Sequence, residues 1–252
     1  MKLPLLQVQG LAWGAGDRLL GSSLDLALAA GEVVAVMGRN GAGKTTLLRC
    51  LLGLLPPRSG RIELDGRLLG DWPRRELAAH VGYVAQQAAA PPAYATLDWV
   101  LLARTARLPL GRGPSPDDYR AALAALDSVG LASRAGVALE ALSGGERQLA
   151  AVARALVQGS RLLLLDEPSA SLDFGNRARV DEVLRSLAAA GHGILFTTHD
   201  PAQAESLARR VLLIAPGEAA RIGPVAAMLE PARLAQVFGV PAELIRPYST
   251  IR

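Results

Sequence analysis

The residues best equipped for chemistry are concentrated in Gly38-Arg39-Asn40-Gly41-Ala42-Gly43-Lys44-Thr45-Thr46. Their spacing is G-x-x-x-x-G-K-T, which cradles phosphate when it joins a strand to a helix. An apolar β-type run, Val33 to Met37, precedes it, and an apolar helical run, Thr46 to Leu55, follows. Glycines let successive backbone N–H groups turn inward onto phosphate oxygens with no Cβ in the way. The helix start adds unpaired donors and the positive end of the helix dipole. Lys44 can reach the β- and γ-phosphates of a nucleotide, and the Thr45 hydroxyl can ligate Mg²⁺. Of 27 basic residues only Lys2 and Lys44 are lysines. A chain that otherwise uses arginine thus places a compact point charge where it must fit inside a loop.

Two further stretches carry chemistry. The apolar run Leu162 to Leu165 ends in Asp166 and Glu167. A wholly apolar strand belongs in the middle of a parallel sheet, and strand C-termini line the ligand crevice of such sheets. There Asp166 can hold Mg²⁺, directly or through water, and Glu167 can orient and activate an attacking water. Ser143-Gly144-Gly145-Glu146-Arg147-Gln148, after Leu142, opens a helix. A hydroxyl, two glycines and free N–H groups make either a second anion site or an ordinary serine-capped helix.

These residues need a scaffold. Strands are expected over 3–9, onward to Leu28 after a turn at Gly14 to Asp17, and over Val33–Met37, Arg61–Leu64, Val81–Ala85, Arg161–Leu165 and Ile194–Thr197. A terminal hairpin is expected at Val211–Ile214 and Ala219–Ile222. Helices are expected over Thr96–Ala106 with Thr96 as N-cap, and over Asp117–Val129 with Tyr119, Leu123, Leu126 and Val129 near one face. Further helices fall over Ser143–Gln158, Asn176–Ala189 and Ala202–Ala208, with short pieces at 224–230 and 231–238. Residues 88–95 and 108–116 read as loops. Strands alternating with helices imply an α/β fold, its mostly parallel sheet covered on both faces. The chain divides into a core lobe, 1–87 and 143–252, and an inserted, mostly helical lobe, 88–142.

Composition narrows the function. Half of the 252 residues are hydrophobic, enough for a sizeable core. The net charge is +4, but the arginines are scattered with no aromatics between them, so no nucleic-acid stripe is indicated. A basic surface facing anionic lipid is only weakly supported. One cysteine, Cys50, excludes an internal disulfide and suits a reducing compartment. Met1 to Gln9 lacks the apolar core of a signal peptide, and no apolar stretch is long enough to span a bilayer.

Leu142 to Gln148 resembles the signature of ATP-binding cassette (ABC) ATPases. The order of phosphate loop, signature, Leu162-to-Glu167 strand and a later histidine is similar to that family over essentially the whole chain. The resemblance implies a P-loop NTPase core with an N-terminal antiparallel portion, and ATP with Mg²⁺ as cofactors. Trp13 looks like the family's aromatic that stacks on adenine, where tyrosine is commoner; a core tryptophan is the other reading. Gln86 stands where the family has its Mg²⁺- and water-contacting glutamine, although Ala85 replaces the usual proline and Gln87 adjoins. His199 matches the histidine that contacts the γ-phosphate. Ser171-Leu172-Asp173 matches the loop that crosses to the partner subunit. His80 and His192 have no such match. Leu149 stands where many relatives carry arginine.

The family's logic is a head-to-tail homodimer, each ATP lying between the phosphate loop of one copy and Ser143 to Glu146 of the other. The resemblance also implies two separate permease subunits, an extracytoplasmic binding protein reached indirectly, and a place on the cytoplasmic face of the inner membrane. Asp98 to Thr105, and Pro114 to Asp118, are similar to importers of metal chelates: iron–siderophore, haem and cobalamin. The relatives' glycine before Arg104 is Ala103 here. Ser169 to Asn176 also resembles the molybdate and tungstate branch. An exporter ATPase is a further alternative. A GTPase would need a guanine-reading N-K-x-D, which the two lysines exclude. Soluble relatives in translation or DNA repair usually carry two cassettes or a long coiled-coil insertion, and neither is present.

Overall fold

The computed structural model describes residues 3–86, 94–107, 113–241, 243 and 245. The strands are β1 (Leu6–Ala15), β2 (Arg18–Leu28), β3 (Val33–Met37), β4 (Ser59–Leu64), β5 (Arg67–Leu68), β6 (Val81–Val84), β7 (Leu162–Leu165), β8 (Gly193–Thr198), β9 (Arg210–Leu213) and β10 (Arg221–Pro224). The helices are α1 (Lys44–Leu51), α2 (Arg74–His80), α3 (Thr96–Leu101), α4 (Pro116–Ser128), α5 (Gly144–Val157), α6 (Phe174–Ala189), α7 (Pro201–Leu207), α8 (Val225–Met228) and α9 (Pro231–Phe238).

The strands form two sheets. One is antiparallel, in the order β2-β1-β4-β5, and the other runs β10-β9-β3-β8-β7-β6. In the second, only the β9–β10 pair is antiparallel. The expected class is therefore the observed one: an α/β core with a mostly parallel sheet, an antiparallel β portion at the N-terminal side and a helical insertion.

The parallel sheet works because its strands are apolar on both faces. In β3, Val34 and Val36 point into a core shared with the antiparallel sheet and α1, while Val33, Ala35 and Met37 point into a core shared with α3 to α9. In β7, Leu162 and Leu164 take the first side and Leu163 and Leu165 the second. A period of two thus feeds two cores from one strand.

The helical insertion contains α3, which continues as a 3-10 turn over Leu102–Arg107, then α4 and two short 3-10 turns before α5. Its helices share the second core with α5. Arg104 ties it to the rest: Nε donates to Asp118 Oδ1 at 2.7 Å and Nη1 to the Val157 carbonyl at 3.2 Å. Ser115 and Asp118 form a reciprocal capping box at the start of α4.

Three local expectations differ from the structure. The N-cap of α3 is Ala95, not Thr96. Thr96 is buried and its hydroxyl donates to the Val137 carbonyl at 2.8 Å, so the residue ties two segments together instead of capping. On α4, Leu126 and Val129 are buried but Tyr119 and Leu123 are largely exposed; the inward stripe runs through Asp118, Ala122, Ala125 and Leu126. Helix α2 was not expected: seven residues with two arginines are too short to show a periodic signal. The loops expected at 88–95 and 108–116 lie mostly outside the described residues.

The Asp118 carboxyl is held down at about 2 by the Ser115 backbone N–H, the Ser115 hydroxyl and Arg104. A depressed carboxylate stabilises the fold above its ordinary value of 3.8, and that contribution fades as pH falls through about 2. The melting temperature of the parent should therefore fall between about pH 4 and pH 2. In Asp118→Asn the fall should be shallower, as thermal unfolding followed across that range will show.

Candidate functional site

Strand order builds the site. Strands β3, β8 and β7 are neighbours in the parallel sheet, so their C-terminal ends lie side by side. Beyond β3 comes the Gly38–Thr46 loop, beyond β7 Asp166 and Glu167, and beyond β8 His199. This is the edge where ligands sit in open α/β sheets.

The loop needs its glycines. Gly41 and Gly43 have φ of 77° and 97°, in the left-handed region. A Cβ on Gly38 would lie 2.4 Å from the Ile214 carbonyl oxygen, so only glycine fits there. Gly43 caps α1 without a side chain, leaving the helix's first N–H groups directed at the cleft. Lys44 folds back over the loop, its Nζ donating to the Gly38 carbonyl at 2.9 Å.

The acidic pair is tied to the loop by short bonds. Thr45 Oγ1 donates to Asp166 Oδ2 at 2.6 Å, and Lys44 Nζ lies 3.3 Å from Glu167 Oε1. Gln86 Nε2 donates to Glu167 Oε2 at 3.1 Å, and His199 Nδ1 is 3.4 Å from the same oxygen. Glu167 therefore gathers three of the expected residues around one carboxylate. Its φ is 48°, a left-handed conformation that costs a non-glycine residue about 1–3 kcal/mol and that surrounding bonds must enforce. Gln87 lies outside the described residues.

Thr197 supplies one such bond, and the sequence reading missed it. Its hydroxyl is fully buried, accepts from the Glu167 backbone N–H at 2.8 Å and donates to Asp166 Oδ1 at 2.7 Å. Two threonines, Thr197 and Thr198, ending an otherwise apolar strand before His199 were the available signal.

The cleft over the loop is about 810 Å³, lined by the loop itself, Gln86, Glu167 and His199, with Leu20, Phe238 and Val240 as apolar walls. That is ample for a nucleotide. The Thr45 hydroxyl and the Gln86 amide line it, and the buried Asp166 carboxylate lies just behind Thr45, bonded to its hydroxyl; these oxygens are the kind Mg²⁺ takes when phosphates complete its shell. Among the described residues no three His, Cys, Asp or Glu side chains cluster as metal ligands.

Trp13 is placed otherwise than expected. Its ring is fully buried, Nε1 donates to the Gly43 carbonyl at 3.1 Å, and the ring lies where a Cβ on Gly21 would fall. No face is open to a base, so the adenine-stacking assignment is corrected to a core residue that braces the loop from behind.

The Ser143 segment does not line this cleft, nor does Asp173. Ser143 and Glu146 form a capping box at the start of α5: Ser143 Oγ accepts from Glu146 N at 3.2 Å and Glu146 Oε2 from Ser143 N at 2.9 Å. The serine-capped helix is thus present. A capping hydroxyl still has its own hydrogen to donate. The Ser143 backbone N–H is the main influence holding the Glu146 carboxyl below its usual range; the Ser143 hydroxyl and Arg134 add to it, against the effect of burial. A Cβ on Gly145 would lie 2.4 Å from Asn176 Oδ1, and one on Gly144 3.6 Å from Leu172. The segment and the Ser171–Asp173 loop therefore form one continuous surface.

A glycine-rich loop, a lysine, a hydroxyl, an Asp–Glu pair and a histidine around one cleft define a nucleotide-hydrolysing P-loop protein. The chain belongs to the ABC transporter family: the family model described as ABC transporter matches residues 22–170. The chain is 37% identical to the hemin import ATP-binding protein HmuV of Myxococcus xanthus, over 95% of this chain and 92% of that one. It is also 37% identical to the molybdate import ATP-binding protein MolC of Haemophilus influenzae, over 79% and 74%. Among solved structures it resembles a putative metal-chelate type ABC transporter in an inward-facing conformation, with 34% identity, a TM-score of 0.83 and coverage of 94% and 90%. It also resembles a dimeric ATP-binding cassette, MJ0796, in a post-hydrolysis state with ADP and Pi (26% identity, TM-score 0.74, coverage 87% and 98%). The chain is an ATP-binding cassette and an ATPase.

Replacing Thr197 by Val removes the bond to Glu167 N and leaves the shape. Turnover should fall about tenfold or more, with KM for ATP changed far less. Steady-state ATPase kinetics check this, and an unaltered kcat would remove Thr197 from the positioning of Glu167.

Proposed function

We propose that the chain is the ATP-hydrolysing subunit of an importer and powers uptake of a metal chelate of the haem type through a separate permease. The observation that carries this is the likeness to a hemin import protein over nearly the whole of both chains, joined to the gathering of Lys44, Thr45, Gln86, Glu167 and His199 around one cleft. Among the described residues no helix is long and apolar enough to cross a membrane, which is consistent with a permease made by other chains.

In this proposal the Gly38–Thr46 backbone and Lys44 hold the phosphates. Thr45, Asp166 and Gln86 hold Mg²⁺, which would neutralise phosphate charge there. Glu167 orients the attacking water and accepts its proton, and His199 donates to the γ-phosphate. Ser143 to Glu146 of a second copy, with its Asp173, closes the other side, making a homodimeric ATP sandwich. ATP then shifts the population from open to closed dimers, and hydrolysis reverses the shift.

The lobes would carry this motion. A groove of about 460 Å³ lies where they meet, lined by Leu54, Tyr83, Val84, Ala85 and Arg154 of the core lobe and by Trp99 of the helical lobe. We place the permease there, beside Gln86, with residues 88–142 moving as a unit against 1–87 and 143–252. This sets the chain on the cytoplasmic face of the membrane, with a binding protein on the far side delivering the substrate.

Glu167→Gln should bind ATP and lose turnover by about a hundredfold or more, leaving an ATP-held dimer visible by light scattering. Adding Ser143→Arg should return it to a monomer that still binds ATP. Ordinary hydrolysis by the first variant would remove Glu167 as base. For the substrate, the complex purified with its permease and put into lipid vesicles should hydrolyse ATP faster when hemin-loaded binding protein is present. Stimulation by molybdate instead would move the assignment to the oxyanion branch, which the likeness to MolC makes the second choice.

A further inference from the structure

Phe174 is the most exposed of the large apolar side chains among the described residues, at 88%. A single exposed apolar residue is ordinary on a protein surface. This one has an unusual position. It is the first residue of α6, directly after Asp173, whose carboxylate caps the helix by accepting from Asn176 N at 2.8 Å. The same Asn176 packs where a Cβ on Gly145 would fall. Phe174 is therefore continuous with the Ser143–Asp173 surface that completes a second copy's ATP site, and no described residue covers it.

A matching surface exists on the other side of the site. Phe238 and Val240 line the cleft beside the phosphate loop, and Val240 is 39% exposed. Between them Gly239 adopts φ 63° and ends α9, and the Arg39 guanidinium lies 2.8 Å from where its Cβ would be. Among the described residues Arg39 has no carboxylate partner and Asp173 no cation. One face thus offers an aromatic next to an acid. The other offers an apolar rim next to an arginine. In a two-fold pair such a match is made twice, because residue i on one copy meets j on the other and the reverse.

We propose that Phe174 anchors a second copy of this chain by seating on the Phe238–Val240 rim beside that copy's phosphate loop, with Asp173 facing Arg39. This inference rests on the ATP sandwich proposed above and adds to it a contact that no nucleotide atom makes. It gives the C-terminal end of α9 a part in pairing: the rim that bounds the cleft from one chain becomes the seat for the other.

The test uses Glu167→Gln with Mg²⁺ and ATP, followed by analytical ultracentrifugation. Phe174→Ser should weaken dimerisation about tenfold or more, since aromatic anchors dominate such interfaces and this one acts twice. Its ATP affinity at monomeric concentrations should not change. Phe174→Cys combined with Val240→Cys should give, on oxidation with copper phenanthroline, a two-chain product that requires ATP. Cys50 is buried, so the parent provides the background. Undiminished dimerisation of Phe174→Ser overturns the anchor and leaves the sandwich standing, as does a double-cysteine chain that dimerises with ATP but does not cross-link. A Glu167→Gln parent that stays monomeric with ATP overturns both.

Discussion

A lysine ammonium cannot be buried without partners, and Lys44 is only 6% exposed. Everything at the end of the parallel sheet answers that constraint. The Gly38 carbonyl and Glu167 surround the ammonium, and Glu167, itself 10% exposed, is held there by Gln86, Thr197 and a left-handed backbone. Such an arrangement needs three strand ends side by side, which the order β3-β8-β7 provides. A triphosphate gives Lys44 a denser negative partner. In the proposed mechanism Glu167 then no longer has to neutralise the lysine and can turn to water, so that binding of the nucleotide and readiness of the base would be linked through this one buried pair.

In the proposed sandwich the cleft is half of a site. Its walls come from the phosphate loop, Gln86, Glu167, His199 and the end of α9, and the wall bearing Ser143 is absent from it. A hydroxyl, free helix N–H groups and an acidic loop form a separate surface, which in the proposed sandwich serves another copy. Closing the two surfaces around ATP would convert phosphate chemistry into movement of whole chains, the form in which a permease could use it.

Much of this was legible in the sequence because the chemistry is local. The phosphate loop, and the acidic pair after four leucines, are contiguous stretches whose context fixes their geometry. Trp13 was not legible. Strand β1 has irregular register shifts around it, so Leu11, Ala12 and Trp13 are buried in succession and the simple alternation of a strand fails there. The family resemblance placed Trp13 near the base, and the bulges turned it into the core. Thr96 and Thr197 escaped for another reason: each hydroxyl bonds to a residue distant in sequence, Val137 and Asp166, and no local pattern encodes such a partner. The Phe174 surface was invisible for the same reason, since its meaning depends on which glycine and asparagine the fold brings beside it.

The division of the site between two copies is tested most directly by the specific ATPase activity of the isolated chain as a function of its own concentration. A split site predicts activity per chain that rises with concentration in step with dimer formation and vanishes on dilution. Activity per chain that stays constant down to concentrations where only monomer is present would contradict it.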